Sequence, residues 1–107
     1  MENFKDELEK IESLIAEIYE ISNFNVLMYP KKLELFKRIK DKQEKILDEL
    51  EKNNIISKED INELDDLEDD IQESSDFPIP SIFNKYDKIT NKQSSIIYSY
   101  IKEKEEK

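Results

Sequence analysis

The chain has 107 residues, with 17 Lys or Arg against 27 Asp or Glu, so its formal net charge is −10. It contains no Gly, Cys, His or Trp. These absences exclude glycine-rich phosphate-binding loops, zinc sites built on Cys or His, disulfide bonds and Ser-His-Asp triads. A chain of this length is expected to form one domain over residues 1–107, and its regularly spaced apolar residues predict folding rather than disorder.

The first predicted helix covers about residues 2–22. Its apolar residues recur every three or four positions, as they do on the buried face of a helix. The residues of this stripe are Phe4, Leu8, Ile11, Ile15 and Ile18. Asn23 and Asn25 can take the left-handed backbone conformation in which glycine usually ends a helix. The connection that follows, residues 24–29, is unusually apolar for a loop.

The second predicted helix covers about residues 30–53. Pro30 suits its first turn, where a backbone N–H would have no helical partner. The inward-facing residues are Leu33, Phe36, Ile39, Ile46, Leu47 and Leu50. Gln43 falls in the middle of this stripe. It either fixes the register through a buried hydrogen bond or lies at the edge of the stripe, and the edge is the favoured interpretation.

The third predicted helix covers about residues 58–75. Ser57 is placed to cap its first turn, and Asp60 stands where a capping box carries an acidic residue. The thin apolar stripe of this helix consists of Ile61, Leu64, Leu67 and Ile71. Pro78 and Pro80 prevent the helix from continuing.

The fourth predicted helix covers about residues 81–104 and can be capped by Ser81. Its apolar residues are Ile82, Phe83, Tyr86, Ile89, Ile96, Ile97, Tyr98, Tyr100 and Ile101. The last five cover more than one face of the helix. Either Tyr98 lies half-exposed with its hydroxyl in water, or a second apolar face supports a homodimer through this helix.

Four helices joined by short connections favour antiparallel neighbours. The sequence therefore predicts an all-α fold, an antiparallel up-down four-helix bundle. The alternative is a pair of helical hairpins that complete a bundle by dimerisation. No segment alternates apolar and polar residues as a half-buried strand does, so no sheet is predicted.

The charges are unevenly distributed along the chain. Residues 31–45 contain seven bases and three acids, whereas residues 59–76 contain ten acids and no base. An antiparallel hairpin of the second and third helices would place the basic start of one beside the acidic end of the other, which relieves unfavourable helix-dipole interactions. The acids left over either form a solvated face or attract a basic partner. The candidate residues of this acidic face are Asp65, Asp66, Asp69, Asp70, Glu73 and Asp76.

An up-down bundle brings its first and third connections to the same end. Both connections are rich in apolar residues, which either close the end of the core or form a contact surface for a partner. The candidate contact residues are Phe24, Leu27, Met28, Tyr29, Phe77, Ile79 and Phe83.

These features predict a non-catalytic, acidic protein-binding module that occupies a basic partner surface. The expected classes are inhibitors, immunity proteins, antitoxins and phage counter-defence proteins; the chain is similar in kind to anti-CRISPR and bacteriocin-immunity proteins, and its carboxylates could imitate DNA phosphates. The alternative is a structural or assembly adaptor that uses its helical seams. We expect a cytoplasmic protein without cofactor or metal, and without direct contact to nucleic acid or membrane.

A second alternative is an enzyme. All-α nucleotide pyrophosphohydrolases bind Mg²⁺ through a Glu-x-x-Glu pair followed by a Glu-x-x-Asp pair. Residues Glu63 to Asp66 resemble the second pair, and Asp41 to Glu44 resemble the first, although Asp41 departs from its pattern. Because acidic pairs arise easily by chance in a chain with 27 acids, no enzymatic activity is expected.

Overall fold

The computed structural model describes residues 5–22, 24–53, 55–75 and 77–105. They form four α-helices and one 3₁₀ turn, and no strand occurs among them. The helices are α1 (Lys5–Glu20), α2 (Tyr29–Lys52), α3 (Lys58–Gln72) and α4 (Pro80–Glu105), and the 3₁₀ turn (Val26–Met28) precedes α2. The predicted all-α bundle of four helices is confirmed. Phe4, Asn23 and Asn54 lie outside the described residues.

Helix α3 begins where the sequence predicts, because the Ser57 hydroxyl oxygen accepts a hydrogen bond from the backbone N–H of Asp60 at 3.2 Å. It ends at Gln72, before the predicted residue 75. In α2, Pro30 stands in the first turn as expected. None of the described helices combines the length and the apolar character needed to cross a membrane.

The two longest helices, α2 and α4, run parallel at the centre of the bundle. Near their starts, the rings of Phe36 and Phe83 lie 6.0 Å apart. Further along both helices, Gln43 Nε2 donates a hydrogen bond to Ser94 Oγ at 2.6 Å. Residue numbers therefore rise together on the two helices, which is the orientation expected of the second and fourth helices in an up-down bundle.

The shorter helices flank this central pair. Helix α1 packs antiparallel on α2, since Glu7 lies 3.8 Å from Lys42 while Ile18 packs near Phe36. Helix α3 packs antiparallel on α4. Ile11 is the one described residue of α1 that is fully buried, and α3 has none. The thin apolar stripes of α1 and α3 suffice because each of these helices covers one side of the central pair.

The core contains two hydrophobic clusters and a layer of buried polar side chains. The larger cluster contains Ile11, Ile39, Ile46, Leu47, Leu50, Ile97 and Tyr100. The smaller one, nearer the starts of α2 and α4, contains Leu33, Phe36, Ile82, Phe83 and Tyr86. The polar layer consists of Lys40, Gln43, Thr90 and Gln93.

Gln43 belongs to this polar layer and is only 2% exposed, so its predicted place at the edge of the stripe is wrong. In a helix at the periphery of a bundle, the edge of the apolar stripe faces solvent. Because α2 lies between α1 and α4, this edge is covered and Gln43 is buried. Gln93 faces the same layer, and its Nε2 donates to the backbone oxygen of Lys40 at 3.4 Å. A shift of one helix along the other would move these amides against apolar side chains, so the layer favours a single register.

The main neighbour of α3 differs from the prediction. It is α4, and the Cα atoms of the described α2 and α3 residues nowhere come within 8 Å of each other. Lys40, in the basic run of α2, still reaches the acidic run and pairs with Glu68 at 2.7 Å. Lysines of α4 supply further partners: Lys92 lies 3.0 Å from Asp60 and 2.9 Å from Glu63. Lys85, also on α4, lies 3.4 Å from Asp70.

Candidate functional site

The first and third connections lie at the same end of the bundle, as the predicted topology requires. They lead into α2 and α4, and these parallel helices begin side by side. The rings of Tyr29 and Phe83, in the first turns of the two helices, lie 5.2 Å apart in an edge-to-face arrangement. The residues of the two connections are therefore brought together although about fifty positions separate them in the chain.

Most of the apolar residues in these connections are exposed. Phe24 is 94% exposed, Leu27 92% and Phe77 68%. Of the nine large hydrophobic side chains that are exposed in the described part of the chain, seven lie at this end. We call them the apolar end: Tyr19, Phe24, Val26, Leu27, Met28, Phe77 and Ile79. The connections therefore do not close the core, which was the alternative expectation.

Two predicted contact residues do not belong to this surface. Phe83 is 6% exposed and lies in the smaller core cluster, so its assignment as a contact residue is wrong. Tyr29 is half-buried against the same cluster. Both residues lie in the first turns of their helices, on the faces where α2 meets α4. Their rings therefore lie beneath the apolar end, in or against the smaller core cluster.

Sequence reasoning missed Tyr19 and Val26 at this surface. Tyr19 lies on α1 next to Ile18, outside the periodic stripe that faces the core. A large aromatic on the polar side of an amphipathic helix is the signal that could have indicated it.

A groove opens beside the apolar end, with a volume of about 530 Å³. Its floor is the start of α2, and its walls are the last turn of α1 with residues 21–22 and the first two turns of α4. The groove exists because α1 and α4 both pack on α2 while their backbones stay apart: their described Cα atoms nowhere come within 8 Å. We call this feature the end groove.

The predicted acidic face lies on the exposed side of α3. Asp65, Asp66, Asp69, Asp70 and Glu73 are all exposed. Asp76 lies outside the described residues. Asp70 pairs with Lys85, whose ammonium group also donates a hydrogen bond to the hydroxyl of Ser74. The acidic run thus pairs mainly with lysines of α4, whereas the sequence predicted pairing with the second helix, which only the pair of Glu68 with Lys40 provides.

The second half of α4 exposes less apolar surface than its sequence suggests. Ile97 and Tyr100 are buried, and Ile96 and Ile101 pack against the larger core cluster. Tyr98 is half-exposed, and its hydroxyl donates a hydrogen bond to Glu12 of α1 at 3.3 Å. Partial burial and the neighbouring Glu12 carboxylate raise the pKa of Tyr98. The homodimer through this helix stays a prediction.

Two carboxylates of the enzyme-like pattern, Glu44 and Glu63, have structural partners. Glu44 lies 2.6 Å from Lys40, and Glu63 lies 2.9 Å from Lys92. The hydrogen bonds that Lys92 donates to the carboxylates of Glu63 and Asp60 raise its pKa. Among the described residues, no group of three or more Asp, Glu, His or Cys side chains is placed to hold a metal ion.

Comparison of the chain with protein-family models, with curated proteins and with solved structures finds no match. The class that its fold and surface define is a small, acidic four-helix bundle with one exposed apolar end. The carboxylate-rich helix α3 ends near the apolar end.

Proposed function

We propose that this chain is a non-catalytic protein-binding module that docks through its apolar end onto a partner. The observation that carries the proposal is the exposure of seven large hydrophobic side chains, contributed by two separate connections and α1, at one end of the bundle. Concentrated apolar surface of this kind is typical of interaction sites. In this proposal the chain acts in the cytoplasm as an inhibitor, immunity protein, antitoxin or phage counter-defence protein.

The charge of the chain favours a partner with a basic surface. The net charge is −10, and the exposed carboxylates of α3 extend towards the apolar end at Glu73. A negative field beside an apolar contact accelerates the encounter with a positively charged partner and disfavours acidic ones. The apolar end would then supply most of the affinity and the acidic face most of the selectivity.

The apolar end is tested by Leu27→Asp and Ile79→Asp, one in each connection. Both side chains are exposed, so the free energy of unfolding of each variant should stay within about 1 kcal/mol of the wild-type value. Each substitution also adds negative charge, which would preserve or strengthen a purely electrostatic contact. We expect the affinity for the partner to fall at least about tenfold. The partner is captured from host lysate, identified by mass spectrometry, purified and titrated by calorimetry.

The matched control is Ile55→Asp, which places the same charge on an exposed isoleucine in the connection between α2 and α3. This variant should bind as tightly as the wild type. Equal binding by all four proteins would contradict docking through the apolar end. Unfolding of both Leu27→Asp and Ile79→Asp would show that the connections stabilise the fold instead.

The acidic face is tested by the double variant Asp66→Asn, Asp69→Asn. At low salt it should associate severalfold more slowly with the captured partner, because two attractive charges are lost. The difference should disappear near molar salt, where the screening length falls to roughly 3 Å. Stopped-flow association rates at several salt concentrations measure this effect. Rates that do not change with salt would show that the acidic face is only solvated.

A further inference from the structure

A second groove runs between α2 and α3, beside the second half of α2. It exists because both helices pack on α4 while their own backbones stay apart. The buried residues Leu47, Ile89 and Gln93 form its floor, and its volume is about 180 Å³. Pockets that bind drug-sized molecules have volumes of roughly 300–1,000 Å³, so this groove has the size for a single side chain.

Every charged residue that lines this groove is acidic. Glu44, Asp48 and Glu51 follow one another at helical spacing on one face of α2, and Asp65 and Glu68 of α3 form the other wall. We call this feature the acidic groove. An entering cation would be attracted by both walls, whereas an anion would be repelled.

The buried Lys40 compensates only one end of the acidic groove. Its ammonium group lies 2.6 Å from Glu44 and 2.7 Å from Glu68. The three remaining carboxylates are exposed, and none of them has an ion pair among the described residues. Positive charge on an occupant is therefore favoured at the end of the groove away from Lys40.

The floor of the acidic groove also carries a hydrogen-bond acceptor without a donor. Gln93 is only 1% exposed, and its Nε2 donates to the backbone oxygen of Lys40 at 3.4 Å. Its Oε1 has no hydrogen-bond partner in the described part of the chain. A buried polar atom without a partner is unfavourable, so an occupant whose N–H group reaches the floor would gain a hydrogen bond there.

An arginine side chain has the properties that the walls and the floor require. Its methylene stem can pack on Leu47 and Ile89. Its guanidinium group is always charged and carries five N–H donors in one plane, so it can contact carboxylates on both walls and the Gln93 oxygen together. The ammonium group of a lysine has three donors on one atom and reaches fewer of these acceptors.

We infer that the acidic groove receives the side chain of an arginine supplied by the partner, whose guanidinium group binds the carboxylates of Asp48 and Asp65 and the Oε1 atom of Gln93. This inference rests on the proposed function, since it names a basic side chain of the docking partner. The groove lies roughly 27 Å along α2 from the apolar end, a distance that one interface of standard size can span. Asp65 also belongs to the acidic face, so the two surfaces are continuous.

The first test uses capped arginine, N-acetyl-arginine amide, in a heteronuclear NMR titration of the full chain. The backbone amide shifts of residues lining the acidic groove should change and saturate with millimolar affinity. Capped citrulline, in which a neutral urea group replaces the guanidinium group, should cause no saturable change. Saturable shifts with citrulline, or none with arginine, would overturn the inference. Equally tight binding of capped lysine would overturn the choice of arginine.

The buried acceptor is tested by Gln93→Met, which keeps an unbranched side chain but removes the amide oxygen. This variant should bind capped arginine severalfold more weakly. Gln43→Met is the matched control, because Gln43 is also a buried amide with an unpartnered Oε1 among the described residues but does not line the groove. It should bind as the wild type does. Equal affinities of the two variants would overturn the role of Gln93.

The walls are tested by the double variant Asp48→Asn, Asp65→Asn, whose affinity for capped arginine should fall at least about tenfold. The control is the double variant Asp66→Asn, Asp69→Asn, which removes the same charge from exposed positions of α3 outside the acidic groove. All four side chains are exposed, so both double variants should fold. Equal losses would overturn the inference, because the overall field of the chain would then explain binding.

Titration of the natural partner separates this inference from the proposed function. If Leu27→Asp weakens that binding and Asp48→Asn, Asp65→Asn weakens it no more than the control double variant, docking at the apolar end is supported and the groove inference fails. If only the groove variant weakens binding beyond the control, the arginine site is supported and docking at the apolar end fails. If neither weakens it, both proposals fail.

Discussion

Replacing Leu50 with alanine is expected to lower the free energy of unfolding by about 3 kcal/mol. Leu50 is 0% exposed and belongs to the larger core cluster, where α2 packs on α4. Truncation removes buried methyl groups and leaves a cavity that a parallel helix pair in fixed register cannot easily close. Single domains of this size have a total stability of about 5–15 kcal/mol, so the loss would be a large fraction of it.

Urea denaturation followed by far-ultraviolet circular dichroism measures the effect. Leu27→Ala provides the control, because it is the same substitution at a side chain that is almost fully exposed. Its free energy of unfolding should stay within about 0.5 kcal/mol of the wild type. Similar losses in the two variants would contradict the placement of Leu50 in the core and of Leu27 at the surface.

Replacing Lys40 with methionine is expected to lower the free energy of unfolding by about 2 kcal/mol at neutral pH. Lys40 is 8% exposed and lies 2.6 Å from Glu44 and 2.7 Å from Glu68, so it links α2 to α3. Its removal leaves two carboxylates close together without their cation. The expected loss is smaller than for a fully buried pair, because both carboxylates are partly exposed to water.

The control for this variant is Arg38→Met on the same helix. Arg38 lies 2.8 Å from Glu34, but both side chains are more than half exposed. An exposed pair of this kind contributes between about 0 and 1 kcal/mol. Urea denaturation should therefore separate the two variants clearly, and equal losses would show that burial of Lys40 does not strengthen its pairing.

The contribution of Lys40 should also depend on pH. Burial alone would lower its pKa, but the hydrogen bonds that it donates to Glu44 and Glu68, together with their negative charges, raise the pKa above the ordinary value of 10.5. A folded-state pKa above the unfolded-state value means that the stabilisation is fully present below the unfolded value. It is then lost as the pH rises through the folded-state pKa. The stability difference between wild type and Lys40→Met should shrink over this alkaline range, and a difference that widens would contradict the pairing.

The sequence predicts the candidate site in part. The apolar character of residues 24–29 and 77–80 is visible in the sequence, and the alternation of helix directions brings the two segments to one end. The sequence does not predict whether these side chains close the core or face solvent, because residues in loops lack the periodicity that orients side chains in helices. The burial of Phe83 could not be separated from the exposure of Phe77, although the two lie in one apolar stretch.

By itself, the sequence determines the helical elements of this protein and their amphipathic faces, because helix periodicity and capping act over only a few residues. The start of α3 at Ser57 and the inward stripe of α2 from Leu33 to Leu50 are examples. Only the tertiary structure decides which faces meet. The apolar stripes could pair in several ways, and the backbone of α3 packs on α4 while only the pair of Lys40 with Glu68 joins it to α2. The packing of α2 between α1 and α4 buries Gln43, and the distance between the backbones of α1 and α4 leaves a groove at the apolar end.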